Sequence, residues 1–215
     1  MDVLAYIVVA IAAYLLGSIP TGYLVGLAKG IDIREVGSGN IGATNVFRIL
    51  GKPAGTFVLI VDGLKGFAAA AWLCDTLLKI FNVTNADAET HRIIAGICAV
   101  LGHNYTCWLK FKGGKGVATS AGVYFALAPL AAGIALGTWI IFFALSRYVS
   151  VASIASAVAL PAAVWFTKDS VILGIVTTGI GLLAIVKHRE NIKRLLNGTE
   201  RRFGKKTQAA PEAGK

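Results

Sequence analysis

Long apolar runs separated by short polar stretches dominate this chain. The runs are Val3–Ala28, Ala54–Phe81, Ile93–Leu109, Val117–Ser146, Val149–Phe166 and Val171–Val186. A bilayer core takes about 20 apolar residues of helix, so each run predicts a membrane-spanning helix. The predicted fold class is all-α, a polytopic transmembrane helix bundle. Residues 1–203 are expected to form one integral-membrane domain. Residues 204–215, rich in Lys, Ala, Pro and Gly without an apolar period, read as a disordered C-terminal tail. The first run lacks a basic region before it and is too long for a signal's apolar core. It reads as a retained span.

The connections differ in charge, and this sets orientation. Lys29–Pro53 carries Lys29, Arg34, Arg48 and Lys52; Lys110–Gly116 carries three lysines; the segment from Lys187 carries nine Lys or Arg. Asn82–His91 has no Lys or Arg and holds Asp87 and Glu89. The excess of cations on cytoplasmic loops puts the first three connections inside and Asn82–His91 outside, with the N-terminus outside and the C-terminus cytoplasmic. Six spans starting outside would leave the cationic tail outside as well, so an odd number is required. Val117–Ser146 has 30 residues, about 45 Å of helix, longer than the hydrocarbon core. It holds Pro129 near its middle. Splitting it near Ala128–Gly133 gives seven spans and leaves Arg147 inside. One long tilted helix, with six spans and an external tail, is the alternative.

Composition agrees. The chain is 56% hydrophobic and only 15% charged, against about a quarter charged in soluble domains. The net charge of +10 borders apolar runs, so it fits membrane orientation and anionic small ligands rather than nucleic acid. Cys74, Cys98 and Cys107 lie in or beside apolar runs and form neither a disulfide framework nor a metal-ligand spacing. No metal or cofactor is predicted.

The polar residues gather in three stretches. Gly37–Asn45 (GSGNIGATN), with Arg48 after it, combines glycines with small hydrogen-bonding side chains. Glycine N–H groups can turn inward as an anion nest, and the arginine fork suits two phosphate oxygens. Phe111–Thr119 (FKGGKGVAT) places Lys112, Gly113, Gly114 and Lys115 before a predicted helix at Val117. Free N–H groups and the helix dipole both favour an anion there. Lys187–Glu200 (KHRENIKRLLNGTE) continues the last span, with His188 and Asn191 as i,i+3 neighbours that can touch one ligand. A flexible loop, headgroup-anchoring lysines and a basic juxtamembrane helix are the plain readings of the three. Asp62 and Lys65, also i,i+3, sit in the second run and are expected to neutralise each other. His103 and Asn104 either line the site or make a polar contact between helices.

Taken together these stretches resemble the bacterial acyl-phosphate:glycerol-3-phosphate acyltransferases. The likeness runs nearly end to end, from Tyr14-Leu-Leu-Gly-Ser18 through GSGNIGATN, Asp62-Gly-Leu-Lys65-Gly66, Gly102-His103, FKGGKGVAT and KHRENIKRLLNGTE. One departure is Thr106, where such proteins commonly have a proline, and it bears on the local bend. The resemblance implies an inner-membrane enzyme of phospholipid biosynthesis that moves a fatty acyl group from acyl phosphate to the 1-hydroxyl of glycerol-3-phosphate. The products are 1-acylglycerol-3-phosphate (lysophosphatidic acid) and phosphate. It implies that Ser38, Arg48, Lys115, His188 and Asn191 bind glycerol-3-phosphate. Gly37, Gly39, Asn40, Gly42, Thr44, Asn45, Lys112, Gly113 and Gly114 would hold the acyl phosphate. The implied partners are the two substrates and the lipid bilayer, with association with other phospholipid-synthesis enzymes left open.

No dedicated catalytic base is expected. Soluble-type glycerolipid acyltransferases use a His with an Asp five positions on; after His91, His103 and His188 stand Gly96, Trp108 and Lys193. An acyl phosphate is already activated, so the enzyme has mainly to hold two anions together and orient a hydroxyl. A donor phosphate oxygen can then take the hydroxyl proton. A transporter of phosphorylated anions is the rival class. It would carry polar residues deep in several spans, whereas this chain keeps most of them at one rim.

Overall fold

A computed structural model describes the backbone of residues 2–83 and 85–204, and every described element is helical. The tail expected to be disordered lies, from residue 205 on, outside the described residues. The first apolar run forms α1 (Asp2–Ser18) and α2 (Thr21–Leu27), broken at Ile19–Pro20 because proline supplies no N–H to the ladder. The polar connection after it contains a two-turn helix, α3 (Ala43–Leu50). Gly51, with φ +86°, turns the chain into α4 (Lys52–Ala68), which has Pro53 in its first turn. A π-turn (Ala69–Leu73) joins α4 to α5 (Cys74–Ile80). Then follow α6 (Asn85–Asn104), α7 (Val117–Leu127), α8 (Pro129–Ser146), α9 (Val149–Thr167), α10 (Val171–Lys187) and α11 (Arg189–Leu196).

The long run Val117–Ser146 is two helices. The break falls at Ala128, with Pro129 as the first residue of α8, as its composition predicts. Among the described residues, four segments are long and apolar enough to cross a membrane: Val3–Leu27, Lys52–Ile80, Pro129–Ser146 and Val149–Thr167. A fifth is the pair α10 and α11, bent by 53°. Large apolar side chains stay exposed around the bundle, with Leu145 at 80% and Phe166 at 90%, as a lipid-facing surface requires.

Small residues set the packing. A Cβ on Gly17 would strike the Ala99 backbone, and one on Gly102 would strike the Tyr14 carbonyl, so α1 and α6 meet backbone to backbone. Gly66 and Gly122 do the same for α4 and α7, against Thr119 and Gly63. Lipid tails are as apolar as leucine, so close van der Waals approach of this kind is what holds membrane helices together. On α9 and α10 the Trp165 ring lies over Gly174, and its Nε1–H donates to Thr178 Oγ1 at 3.2 Å. The α3 apolar face (Val46) seals one end of the bundle with Ile33, Ile41, Val58 and Leu109.

A buried polar knot ties the break in the first run to α4. Lys65 Nζ lies 2.8 Å from Asp62 Oδ1, with side-chain exposures of 4% and 3%. Lys65 also donates to Ile19 O at 2.8 Å, and Thr21 Oγ1 donates to Asp62 Oδ1 at 3.0 Å. The expected mutual neutralisation is present, and it has a purpose: Pro20 ends the ladder, and Lys65 satisfies a carbonyl freed there. His103 Nδ1 stands off at 3.7 Å from Asp62 Oδ1.

Candidate functional site

The three polar stretches meet at one end of the bundle. In the first, Gly37 and Gly39 have φ of +66° and +67°, and the loop they shape is buckled by Asn45. The Asn45 side chain is buried. Its Oδ1 accepts from Ser38 N–H at 2.9 Å, and its Nδ2 donates to Ile33 O at 3.0 Å and Val36 O at 3.1 Å. Asn40 Oδ1 accepts from Gly42 N–H at 2.9 Å, and Gly39 N–H donates to Val36 O at 3.0 Å. The N–H groups of Gly39 and Gly42 and the whole Asn45 amide thus serve the loop itself. The reason is that a loop with so many orphan backbone groups satisfies them internally first. Arg48, on α3, reaches to Arg201 O at 3.4 Å.

The second stretch folds back onto the end of α6. Lys110 and Phe111 both take left-handed φ, +53° and +60°. Gly113 N–H then donates to Asn104 O at 3.2 Å and Gly114 N–H to His103 O at 3.0 Å. These bonds cap the last carbonyls of α6, so the N–H groups of Gly113 and Gly114 are also not an anion nest. The paired glycines answer a different need: a Cβ on Gly114 would lie 2.9 Å from His103 Cε1, and one on Gly113 would meet the His103 and Asn104 backbone. Lys112 is exposed. Gly116, φ +79°, starts α7, and the first-turn N–H groups of that helix have no intrahelical partner by construction.

At Thr106 the bend survives without proline. Its φ of −63° is a value proline also takes, and its buried hydroxyl donates to Ser18 O at 2.6 Å.

In the third stretch the chain does not run straight on; it bends at His188. His188 Nδ1 lies 2.8 Å from Ala184 O, and a carbonyl only accepts. In the neutral ring Nδ1 therefore carries the hydrogen and Nε2 is the accepting nitrogen. One turn on, Asn191 Oδ1 accepts from Lys115 Nζ. Asn191 Nδ2 donates to Glu200 Oε1 at 2.7 Å.

Glu200 is the residue that sequence reasoning missed. It also accepts from Ser150 Oγ at 2.9 Å and from Arg194 Nε at 2.7 Å. Burial raises its pKa, but the hydrogen bonds from Asn191, Arg194 and Ser150 outweigh that and hold the carboxyl below its usual range. Burial likewise lowers Lys115, to about 8, against the opposing pull of Glu200 and with help from Arg194 and Arg48. The only clue to Glu200 in the sequence is its place between the cation pairs Lys193–Arg194 and Arg201–Arg202.

Fold and site define a polytopic α-helical membrane protein with a cation-lined polar site at one end of its bundle. Residues 7–198 match the family model described as glycerol-3-phosphate acyltransferase, and the chain belongs to this family. A glycerol-3-phosphate acyltransferase from Geotalea daltonii is 46% identical over 198 residues, covering 92% of this chain and 97% of that protein. One from Geobacter sulfurreducens is 45% identical over 197 residues, with 92% and 97% covered. The chain is similar to the crystal structure of PlsY, an integral membrane glycerol 3-phosphate acyltransferase, in its glycerol 3-phosphate form. That likeness has a TM-score of 0.83 at 43% identity and covers 93% of this chain and 96% of that one. The lysophosphatidic acid form of PlsY gives 0.80 at 42%. The protein is thus an integral membrane glycerol-3-phosphate acyltransferase.

Proposed function

We propose that the acyl donor is acyl phosphate and that the product is 1-acylglycerol-3-phosphate. The 1-hydroxyl oxygen of glycerol-3-phosphate attacks the acyl carbonyl carbon, the bond from that carbon to the phosphate oxygen breaks, and inorganic phosphate leaves. The hydroxyl proton passes to a phosphate oxygen of the donor. Arg48 and Lys115 bind the glycerol-3-phosphate phosphate, with Ser38 beside them. Asn191 and the accepting Nε2 of His188 orient its glycerol hydroxyls. The donor phosphate meets Lys112 and the N-terminus of α7, where unpaired N–H groups and the dipole favour it. Gly37, Asn40 and Thr44 shape the wall between the two anions.

The observation that carries this reading is the hydrogen-bonded line Lys115–Asn191–Glu200, which fixes a cation and an amide side by side at the membrane rim. Residues 1–203 work as one unit that crosses the bacterial inner membrane seven times. The crossings are α1 with α2, α4 with α5, and α6 to α10 singly, which puts the site on the cytoplasmic side. At 11 residues α7 is only about 16 Å long, too short to reach both headgroup layers, and its start is taken as the recessed end. That recess lets a lipid-borne donor enter sideways.

The test uses purified protein with glycerol-3-phosphate and either palmitoyl phosphate or palmitoyl-CoA. Phosphate and lysophosphatidic acid should form in equal amounts from palmitoyl phosphate. Turnover with palmitoyl-CoA alone would overturn the donor assignment.

A further inference from the structure

The family model stops at residue 198, yet the chain beyond it completes the site. α11 has little grip of its own: Asn191 is its buried residue and Leu196 is 82% exposed. What holds this end down is the segment that follows. The Phe203 ring lies edge-on to Phe47, centroids 6.0 Å apart, and to Phe143 at 5.5 Å. Its N–H donates to Arg147 O at 2.8 Å. Arg202 Nε donates to the Tyr148 hydroxyl at 3.1 Å, with its guanidinium 5.2 Å from the ring centre. Residues 199–203 thus form a strap from α11 to the turn between α8 and α9 and to α3. Glu200 lies inside it, facing Ser150, the second residue of α9.

We propose that Phe203 is a positioning residue: lodged between Phe47 and Phe143, it anchors the strap and so holds Glu200 on Asn191, which sets the Asn191 carbonyl oxygen on Lys115. The inference rests on Lys115 and Asn191 being ligands of glycerol-3-phosphate. An asparagine amide alone can flip and offer Lys115 its NH2 instead; a carboxylate on the other side accepts from that NH2 and forbids the flip.

The test is steady-state kinetics on the full chain in detergent, with glycerol-3-phosphate varied at fixed palmitoyl phosphate and the reverse. Phe203→Ala should raise KM for glycerol-3-phosphate about tenfold and leave KM for the acyl donor within about twofold. Phe203→Leu, which keeps an apolar plug, should recover most of the loss. Arg202→Ala frees the other pin without removing the plug and should move the same KM by about threefold. Glu200→Gln alone should raise that KM, and Phe203→Ala added to it should raise it no further, because both act through one contact. Losses that multiply in the double variant overturn the proposal. So does an equal change in both KM values, or an unchanged KM in Phe203→Ala beside a raised one in Glu200→Gln. If Lys115→Ala leaves KM for glycerol-3-phosphate unchanged, the ligand assignment fails first and the strap's role falls with it.

Discussion

Lys115 donates its ammonium hydrogen to the side-chain carbonyl of Asn191, 76 residues further along the chain. The bond joins the start of α7 to the bend after α10 and leaves the remaining ammonium hydrogens for a phosphate. Truncating one member of a buried, hydrogen-bonded charge contact costs about 2–5 kcal/mol. Lys115→Ala should therefore lower kcat/KM for glycerol-3-phosphate by roughly 30-fold to a few thousandfold. Initial rates in detergent measure it. A loss confined to the acyl donor would move Lys115 to the other substrate.

The same lysine gives a pH dependence. Burial puts its pKa at about 8, so it is charged below pH 8 and neutral above it. Affinity for the acceptor phosphate should fall as pH rises through about 8. The Glu200 carboxylate opposes that lowering, so Glu200→Gln should move the alkaline limb to lower pH. KM for glycerol-3-phosphate measured from pH 6.5 to about 9.5 reads both effects. A limb that moves upward in Glu200→Gln would exclude this electrostatic coupling.

Gly114 sits where the His103 ring leaves no room for a side chain. Gly114→Ala should push the loop off the end of α6, break the Gly114 N–H bond to His103 O and carry Lys115 out of place. Activity should fall by about tenfold or more, in line with an overpacking cost of 1–3 kcal/mol. Removing the ring should restore part of it, so Gly114→Ala with His103→Ala should be more active than Gly114→Ala alone. A double variant with less activity than the single one would show that His103 does more than fill space.

Much of this was legible in the chain because one physical rule, lipid exposure, acts on every span. Apolar runs marked the helices, and Pro129 marked the break at Ala128. The charge of the loops brought GSGNIGATN, FKGGKGVAT and the basic end together. What stayed hidden depends on long-range partners. Pro20 broke the first run although apolar residues continue on both sides, and the carbonyl freed there finds its donor in Lys65, 46 residues on. α3 is hard to read as a helix because it follows directly on Gly37, Gly39 and Gly42 and is only eight residues long, while Val46 needs Ile33 and Val58 to reveal its buried face. The N–H groups of Gly113 and Gly114 look free in the sequence because their acceptors, Asn104 O and His103 O at the end of α6, lie back across a turn. Glu200 carries no mark of a site residue in the sequence because Ser150, one of its donors, is 50 residues back.

The Asp62–Lys65 pair should behave as a structural unit. Both groups are nearly sealed from solvent, so removing one partner strands the other charge. Asp62→Asn or Lys65→Met should destabilise the fold by about 3–5 kcal/mol, enough to leave little folded protein if the total is in the usual 5–15 kcal/mol range. Removing both charges in Asp62→Asn with Lys65→Met should recover a large part, because no unpaired charge is left. Recovery should be incomplete, since Lys65 also donates to Ile19 O; that carbonyl keeps its bond from Thr21 N–H at 3.0 Å, and losing the other hydrogen bond costs about 0.5–1.5 kcal/mol. Thermal unfolding in detergent gives the order: wild type, then the double variant, then either single one. If the single variants keep their stability and lose only turnover, the pair takes part in chemistry instead. Charged groups near the middle of a bilayer mark function more often than structure, and that result would place Asp62 beside the site residues.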